Sequence, residues 1–250
     1  TRPSDSRNIR QSGLSAMKLD EGVSLVAVRA VAWTPEDDAE PASARPRPRV
    51  LLATAQGKAI KFPLDDIRLF EGRSSSGVRG IRLGDADRLI AMSVLNAVVT
   101  PGGEEREAYV RGDEGGLDPA RRAELAAGEQ LLLSVADDGL GRLTSAYEFR
   151  ETARGGQGIA NLDLSRGRGK AAEVVATFPV TLSEQLMVVT DGGMMIRCPV
   201  EGIRQAGRAT RGVRILDVAE GERVVSVAAL AEEGGAEDTG DEAEAAPDES

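Results

Sequence analysis

Apolar residues in this chain fall in runs of about five to eight, rich in Val, Ile and Leu and broken by Gly, Asp and Ser, a pattern that predicts strands. A strand pair joined by a glycine turn recurs as VLLATAQGKAIKFPLDDI (50–67), LLLSVADDGLGRLTSAYEF (131–149) and LMVVTDGGMMIRCPVEGI (186–203). Each is followed by a short basic segment, one glycine and a second apolar strand, in SSSGVRGIRL (74–83), GGQGIANLDL (155–164) and TRGVRILDV (210–218). The repeats end in the runs RLIAMSVL (88–95), AEVVATF (172–178) and RVVSVAAL (223–230). A fourth copy, QSGLSAMKLDEGVSLVAV (11–28), lacks its front half.

Gln56-Gly57, Asp138-Gly139 and Asp191-Gly192-Gly193 supply the left-handed conformations that tight hairpins need. Gly13, Gly77, Gly158 and Gly212 recur just before a strand, where a turn or bulge needs the same freedom. Four strands in about 45 to 50 residues is the arithmetic of a propeller blade. The predicted class is all-β and propeller-like, with about three and a half four-stranded blades. A single β-sandwich with chance similarity among its hairpins is the competing architecture.

The predicted organisation is a partial blade at 1–34, a Pro-rich acidic linker at 35–49, a blade at 50–101, an acidic insertion at 102–130, a blade at 131–180, a final blade at 181–230 and a disordered acidic tail at 231–250. Within the insertion, DPARRAELAAGEQ (118–130) predicts a helix, with Asp118 as N-cap, Pro119 in its first turn and Gly128 at its end. The insertion reads as a solvated excursion between blades, or as a partner-binding one.

An apolar share of 41% in 250 residues is enough for a real core. No stretch approaches 18 consecutive apolar residues and no basic-then-apolar leader opens the sequence, so a cytoplasmic protein with no membrane partner is expected. There is no histidine and a single cysteine, Cys198, which excludes histidine triads and the usual zinc sites. The formal charge is −10, but residues 231–250 hold nine acids and no base. Setting aside that tail and segments 35–49 and 102–130 leaves 20 acids and 24 bases, so the body is mildly basic.

Enzymatic signals are weak. Gly155-Gly156-Gln157-Gly158 and Arg166-Gly167-Arg168-Gly169 are not strand-to-helix phosphate loops and read as turns. Asp37-Asp38, Asp65-Asp66 and Asp137-Asp138 lack metal-loop spacing. Tyr109 and Tyr147 have no adjacent base, and Cys198 reads as a small core residue. No catalytic residue and no metal site is expected.

What recurs is positive charge. Lys58, Lys61, Arg142 and Arg197 follow the hairpin glycines, and Arg10, Lys18, Arg73, Arg79, Arg82, Arg154, Arg204, Arg208, Arg211 and Arg214 flank the second ones. At equivalent points of successive blades they would form a belt along the rim. Point charges with an aromatic share of only 3% favour phosphate contacts over base stacking, hence bent duplex over single strands. Arginines that merely keep strand edges soluble would explain any one of them.

Residues 186–230, with the pattern IRxxGRxTxGVxI from Ile203 to Ile215, resemble the final blade of the carboxy-terminal domain of DNA gyrase A. GRSSSGVRGIRLGDADRLIAMSVL (72–95) and SAMKLDEGVSLVAV (15–28) look like earlier blades of the same domain, with the corresponding DNA-cleaving subunit of topoisomerase IV as the nearest alternative. The resemblance implies a β-pinwheel whose blades exchange strands and whose basic rim wraps double-stranded DNA. It further implies an A2B2 assembly with the rest of gyrase A and with gyrase B in bacterial cytoplasm, directing strand passage and negative supercoiling. ATP and magnesium are implied only through other parts of that topoisomerase, and no cofactor is expected in this chain. The family's QRRGGKG box is not found here, and RGRGKAA (166–172) departs from it. The breakage domain with its active-site tyrosine is not among these residues, so the chain by itself is expected not to cleave DNA. A protein-binding or chromosome-organising propeller is the alternative, and the acidic tail is expected to compete with phosphates for the rim.

Overall fold

The computed structural model describes residues 17, 19–31, 46–70, 77–98, 101–113, 115–165 and 172–231. The predicted hairpins form where the glycine turns put them. β1 (Arg47–Thr54) pairs antiparallel with β2 (Lys58–Pro63), β4 (Leu131–Ala136) with β5 (Leu140–Ser145), and β8 (Gln185–Thr190) with β9 (Met195–Pro199). On the other flank of each hairpin lies the last strand of the same repeat: β3 (Leu89–Val98), β7 (Val174–Val180) and β11 (Val224–Leu230).

The fourth strand comes from the next repeat. β6 (Ile159–Ala160) pairs with β2, and β10 (Val213–Arg214) pairs with β5. The sheets therefore run β3-β1-β2-β6, β10-β5-β4-β7 and β11-β8-β9. The ranges 50–101, 131–180 and 181–230 thus mark sequence repeats, while the first two sheets are each completed across a repeat boundary. Among the described residues β9 has no such outer partner. The consequence is visible in burial, since Met195 and Arg197 are exposed while their counterparts Ala59 and Lys61 are buried.

Face-to-face packing of the sheets makes the core. Leu51, Ala53, Ala59 and Leu95 meet Leu132, Ala146 and Phe149 between the first two repeats, and Leu133, Val135 and Leu143 meet Leu186, Val188 and Val200 between the second and third. A repeat whose strands are covered on both faces carries near-continuous apolar runs, which is why the hairpins read as strands without strict alternation.

Three sequence expectations change. β1 starts inside the expected linker, because Arg47 and Arg49 pair with Glu151 of the next repeat at 3.2 and 2.9 Å and Pro48 sits where the β1–β3 register shifts, a bulge that spares the ladder a missing donor. Residues 19–31 of the expected partial blade form no strand, and Val23, Leu25 and Val28 stay exposed, since among the described residues no hairpin pairs with this segment. The insertion is a helical pair, α1 (Gly103–Arg111) and α2 (Pro119–Gly128), anchored on the sheets. Asp118 caps α2 as predicted, its carboxylate accepting from the amides of Ala120 and Arg121 at 2.9 and 3.3 Å. Buried Leu125 offers its carbonyl to the Tyr147 hydroxyl at 3.1 Å, the rings of Tyr109 and Tyr147 meet edge to face 5.6 Å apart, and Arg121 holds Glu105 at 3.0 Å. Tyr147 therefore has the structural role expected of it. Residues 35–45 of the linker and 232–250 of the tail lie outside the described residues.

Candidate nucleic-acid interface

The segment around the second glycine of each repeat, which in the second and third repeats leaves its own hairpin and completes the preceding sheet, is the place where cations gather. Gly158 and Gly212 open these crossings at φ 70° and 82°, and a Cβ on Gly158 would stand 2.6 Å from the carbonyl oxygen of Ala59, so only glycine lets the backbone pass this close. β6 then places Ala160 opposite Lys58, and β10 places Arg214 opposite Leu140.

Successive crossings are bonded side by side. The Gly155 amide donates to the Gly80 carbonyl at 2.6 Å and the Arg82 amide to Gly156 at 2.8 Å, which joins the first crossing to the second. The Asp163 amide donates to Thr210 at 3.2 Å, joining the second to the third. Exposed Arg79 and Arg82, then Lys58, then Arg211 and Arg214 thus lie on one continuous outer band spanning three repeats. The band also carries acids: Arg214 pairs with Asp217, and Asp163 is held below its usual carboxylate range by hydrogen bonds from Ser165. Cations and acids therefore alternate along it.

Arg154 and Arg208 occupy the same register, four residues before the second glycine, and share one bond. Arg154 Nη1 donates to the carbonyl of Arg79 at 3.1 Å, and Arg208 Nη1 to the carbonyl of Ala160 at 2.9 Å. Arg79 and Ala160 are themselves equivalent, each two residues after its glycine. Both arginines are half-buried, so their recurrence reports a tie between neighbouring repeats as well as rim charge. Sequence reasoning missed this tie, although the fixed four-residue offset was its signal.

Two of the expected rim cations are not on the surface. Lys61 is buried between repeats with its ammonium donating to the Ala146 carbonyl at 2.8 Å, and desolvation together with neighbouring Arg49 lowers its pKa to about 7. Arg142 is fully buried and donates to the carbonyls of Asn161, Arg208 and Thr210 and to the Thr144 hydroxyl, binding two crossings to β5. Burial lowers its pKa to about 10. Both were misread because a hairpin covered by the following repeat has no solvent face. Arg197 is exposed on the uncovered strand β9, apart from the crossings.

Arg204 is exposed at the corner after the hairpin, where Arg68 and Arg150 stand in the other repeats. Those two escaped notice because they are single cations in variable surroundings, and only the pairs Ile67-Arg68, Phe149-Arg150 and Ile203-Arg204 reveal the register. Arg10, Lys18 and Arg73 lie outside the described residues, as does the stretch 166–171.

Asp137 accepts the Glu173 amide at 3.0 Å and Asp191 the Arg223 amide at 2.8 Å, so these acids tie a hairpin end to the start of the last strand of its repeat. Among the described residues no group of three or more acids or cysteines is placed to hold a metal ion, and no helix is long and apolar enough to cross a membrane. Cys198 packs half-buried against the core, and burial raises its thiol pKa.

Comparison with known proteins places this geometry. The DNA gyrase A protein of Granulibacter bethesdensis is 40% identical over 99% of this chain, and that of Rickettsia bellii 35% over 91%. The chain spans 28% and 25% of the length of those two relatives. A solved DNA gyrase A C-terminal domain shares the fold with a TM-score of 0.59 at 18% identity, covering 88% of this chain and 59% of that one. The C-terminal domain of a DNA topoisomerase IV gives 0.56 at 17%, covering 74% and 47%. A family model described as DNA gyrase C-terminal domain, beta-propeller, matches residues 7–32, 48–96, 130–180 and 184–231. With one matched stretch for every sequence repeat, including the copy that lacks its front half, the chain belongs to the DNA gyrase C-terminal domain family.

Proposed function

We propose that this chain is the DNA-wrapping module of a DNA gyrase A protein, holding duplex DNA by its backbone along the outer band of crossing segments. The observation that carries the reading is the side-by-side bonding of three crossings, which gathers Lys58, Arg79, Arg82, Arg211 and Arg214 on one surface. Point charges fixed on rigid, hydrogen-bonded backbone suit phosphates. The shortage of aromatic side chains leaves little to stack on unpaired bases.

Bending duplex smoothly through a large angle over 20 to 30 base pairs costs on the order of 1–6 kcal/mol, which several phosphate contacts offset. A band that follows successive blades turns the duplex a little at each repeat. In the complete enzyme, wrapping of one hand would deliver a segment of the same DNA to the cleavage gate, so that strand passage driven by ATP on gyrase B yields negative supercoils. That part rests on the family. The chemistry, the nucleotide, its magnesium ion and the A2B2 assembly belong to the rest of the complex, and the chain contributes binding and direction in the bacterial cytoplasm.

The test is a salt titration of duplex binding with short and long fragments. Affinity should fall steeply and linearly in log salt, and should rise with duplex length until the band is filled. A protein-binding propeller predicts no duplex retention at moderate salt and no length dependence.

A further inference from the structure

Each of the three described hairpins ends in the same closed turn. The Ile67 amide donates to the Leu64 carbonyl at 2.9 Å, Phe149 to Ala146 at 3.3 Å and Ile203 to Val200 at 2.9 Å. The next residue is an arginine in every case, Arg68, Arg150 and Arg204, and all three are exposed. Among the described residues no carboxylate forms an ion pair with any of them. Arg68 rests its guanidinium 4.6 Å above the Phe70 ring, which orients it without neutralising it.

The backbone at these corners is fixed to the neighbouring repeat. Beside Arg150, Glu151 bridges Lys61 in parallel and the Thr152 amide donates to the Lys61 carbonyl at 2.9 Å. At Arg204, Gln205 bridges Leu143 in the same way, the Leu143 amide donates to the Arg204 carbonyl at 3.2 Å, and the Ala206 amide returns to Leu143 at 2.9 Å. These two corner arginines are therefore rooted at seams between blades, on backbone that cannot drift.

The other recurrent positions behave differently. Arg154 and Arg208 spend donors on carbonyls, while the register of Arg79 and Arg214 is alanine at Ala160, and that of Arg82 is aspartate at Asp163 and Asp217. Only the corner keeps a cation that is exposed and unneutralised in all three described repeats. We propose that Arg68, Arg150 and Arg204 form a second row of phosphate contacts, one per blade, which grips the duplex alongside the crossing band. This inference rests on the duplex-binding reading above and assigns the corner as the contact that repeats with the blade.

The probe is a fluorescently labelled mixed-sequence duplex, its binding to the 250-residue chain measured across a salt series. Replacing Arg68, Arg150 and Arg204 together by alanine should reduce the slope of log affinity against log salt by about 2 to 3, at about 0.9 per lost phosphate contact. The matching triple lysine variant should keep the parental slope. A charge-matched control, Arg88→Ala with Arg111→Ala and Arg122→Ala, should also keep it. If the triple alanine variant fails to melt cooperatively, Arg150→Ala and Arg204→Ala singly, each expected to lower the slope by about 0.9, decide the matter. An unchanged slope in the corner variants, or an equal loss in the control, overturns the corner row while leaving duplex binding intact. A parental chain with no salt-dependent duplex binding overturns the underlying reading and the corner row with it.

Discussion

Arg208 Nη1 donates to the carbonyl oxygen of Ala160 at 2.9 Å, so an arginine of the third repeat holds the crossing segment of the second. Its counterpart Arg154 treats Arg79 in the same way and adds a bond from Nε to the carbonyl of Asp66 at 3.0 Å. Because both donors are half-buried, Arg154→Ala and Arg208→Ala should each lower stability by about 1–2 kcal/mol in denaturant melts without DNA. Arg211→Ala, at an exposed site, should stay within about 0.5 kcal/mol of the parent and weaken duplex binding instead. Equal melting of all three variants would show that the tie carries no weight.

Arg142 stands where the sister hairpins have Ile60 and Ile196, so repeat similarity alone would favour isoleucine there. The structure predicts the opposite outcome. Arg142→Ile strands carbonyls of Asn161 and Arg208 in the interior and should cost roughly 2–4 kcal/mol, read as a fall in denaturation midpoint. A neutral result would mean water or backbone shifts satisfy those oxygens.

Lys61 has its pKa lowered to about 7 in the folded chain, against the ordinary lysine value near 10.5 when unfolded. Below about pH 7 both states carry the proton, and the folded state bears the full cost of a buried charge. Between about pH 7 and pH 10 the unfolded chain binds more protons, so this group makes stability rise with pH. Lys61→Met should remove that rise and should stabilise the chain most at or below pH 7. Urea melts at pH 7 and pH 9.5 check it, and a parallel pH dependence in the variant would contradict it.

Ala86 has φ 57°, the only positive value of a non-glycine residue among the described residues. The equivalent turns before β11 and before Val23 use Gly221 and Gly22, at φ 87° and 78°. Ala86→Gly should therefore stabilise the chain by about 1 kcal/mol, since the left-handed cost of an L side chain exceeds the entropy lost by adding a glycine. A lower melting temperature in the variant would count against this.

The repeat, the hairpin turns and the capped helix at 118–130 were legible because each depends on local signals: a positive-φ glycine, a short apolar run, an Asp-Pro start. Strand exchange was not legible from local signals, since β6 and β10 are two-residue strands whose partners lie about 100 and 70 residues away. Helix α1 escaped because it buries no residue and so shows no apolar stripe. The burial of Lys61 and Arg142 follows from the same exchange: a residue on an outer strand reads as exposed until a second segment is laid over it. Lys58, Arg79, Arg82, Arg211 and Arg214 lie outside that cover and are exposed.

The most direct test of the central claim closes a nicked circular duplex with ligase while the chain is bound, then removes protein and resolves the topoisomers. Wrapping along the crossing band predicts a linking-number shift of one sign that grows with the ratio of chain to DNA and shrinks as salt rises. An unshifted distribution at concentrations where the duplex is bound would contradict it, leaving a surface that holds DNA without bending it.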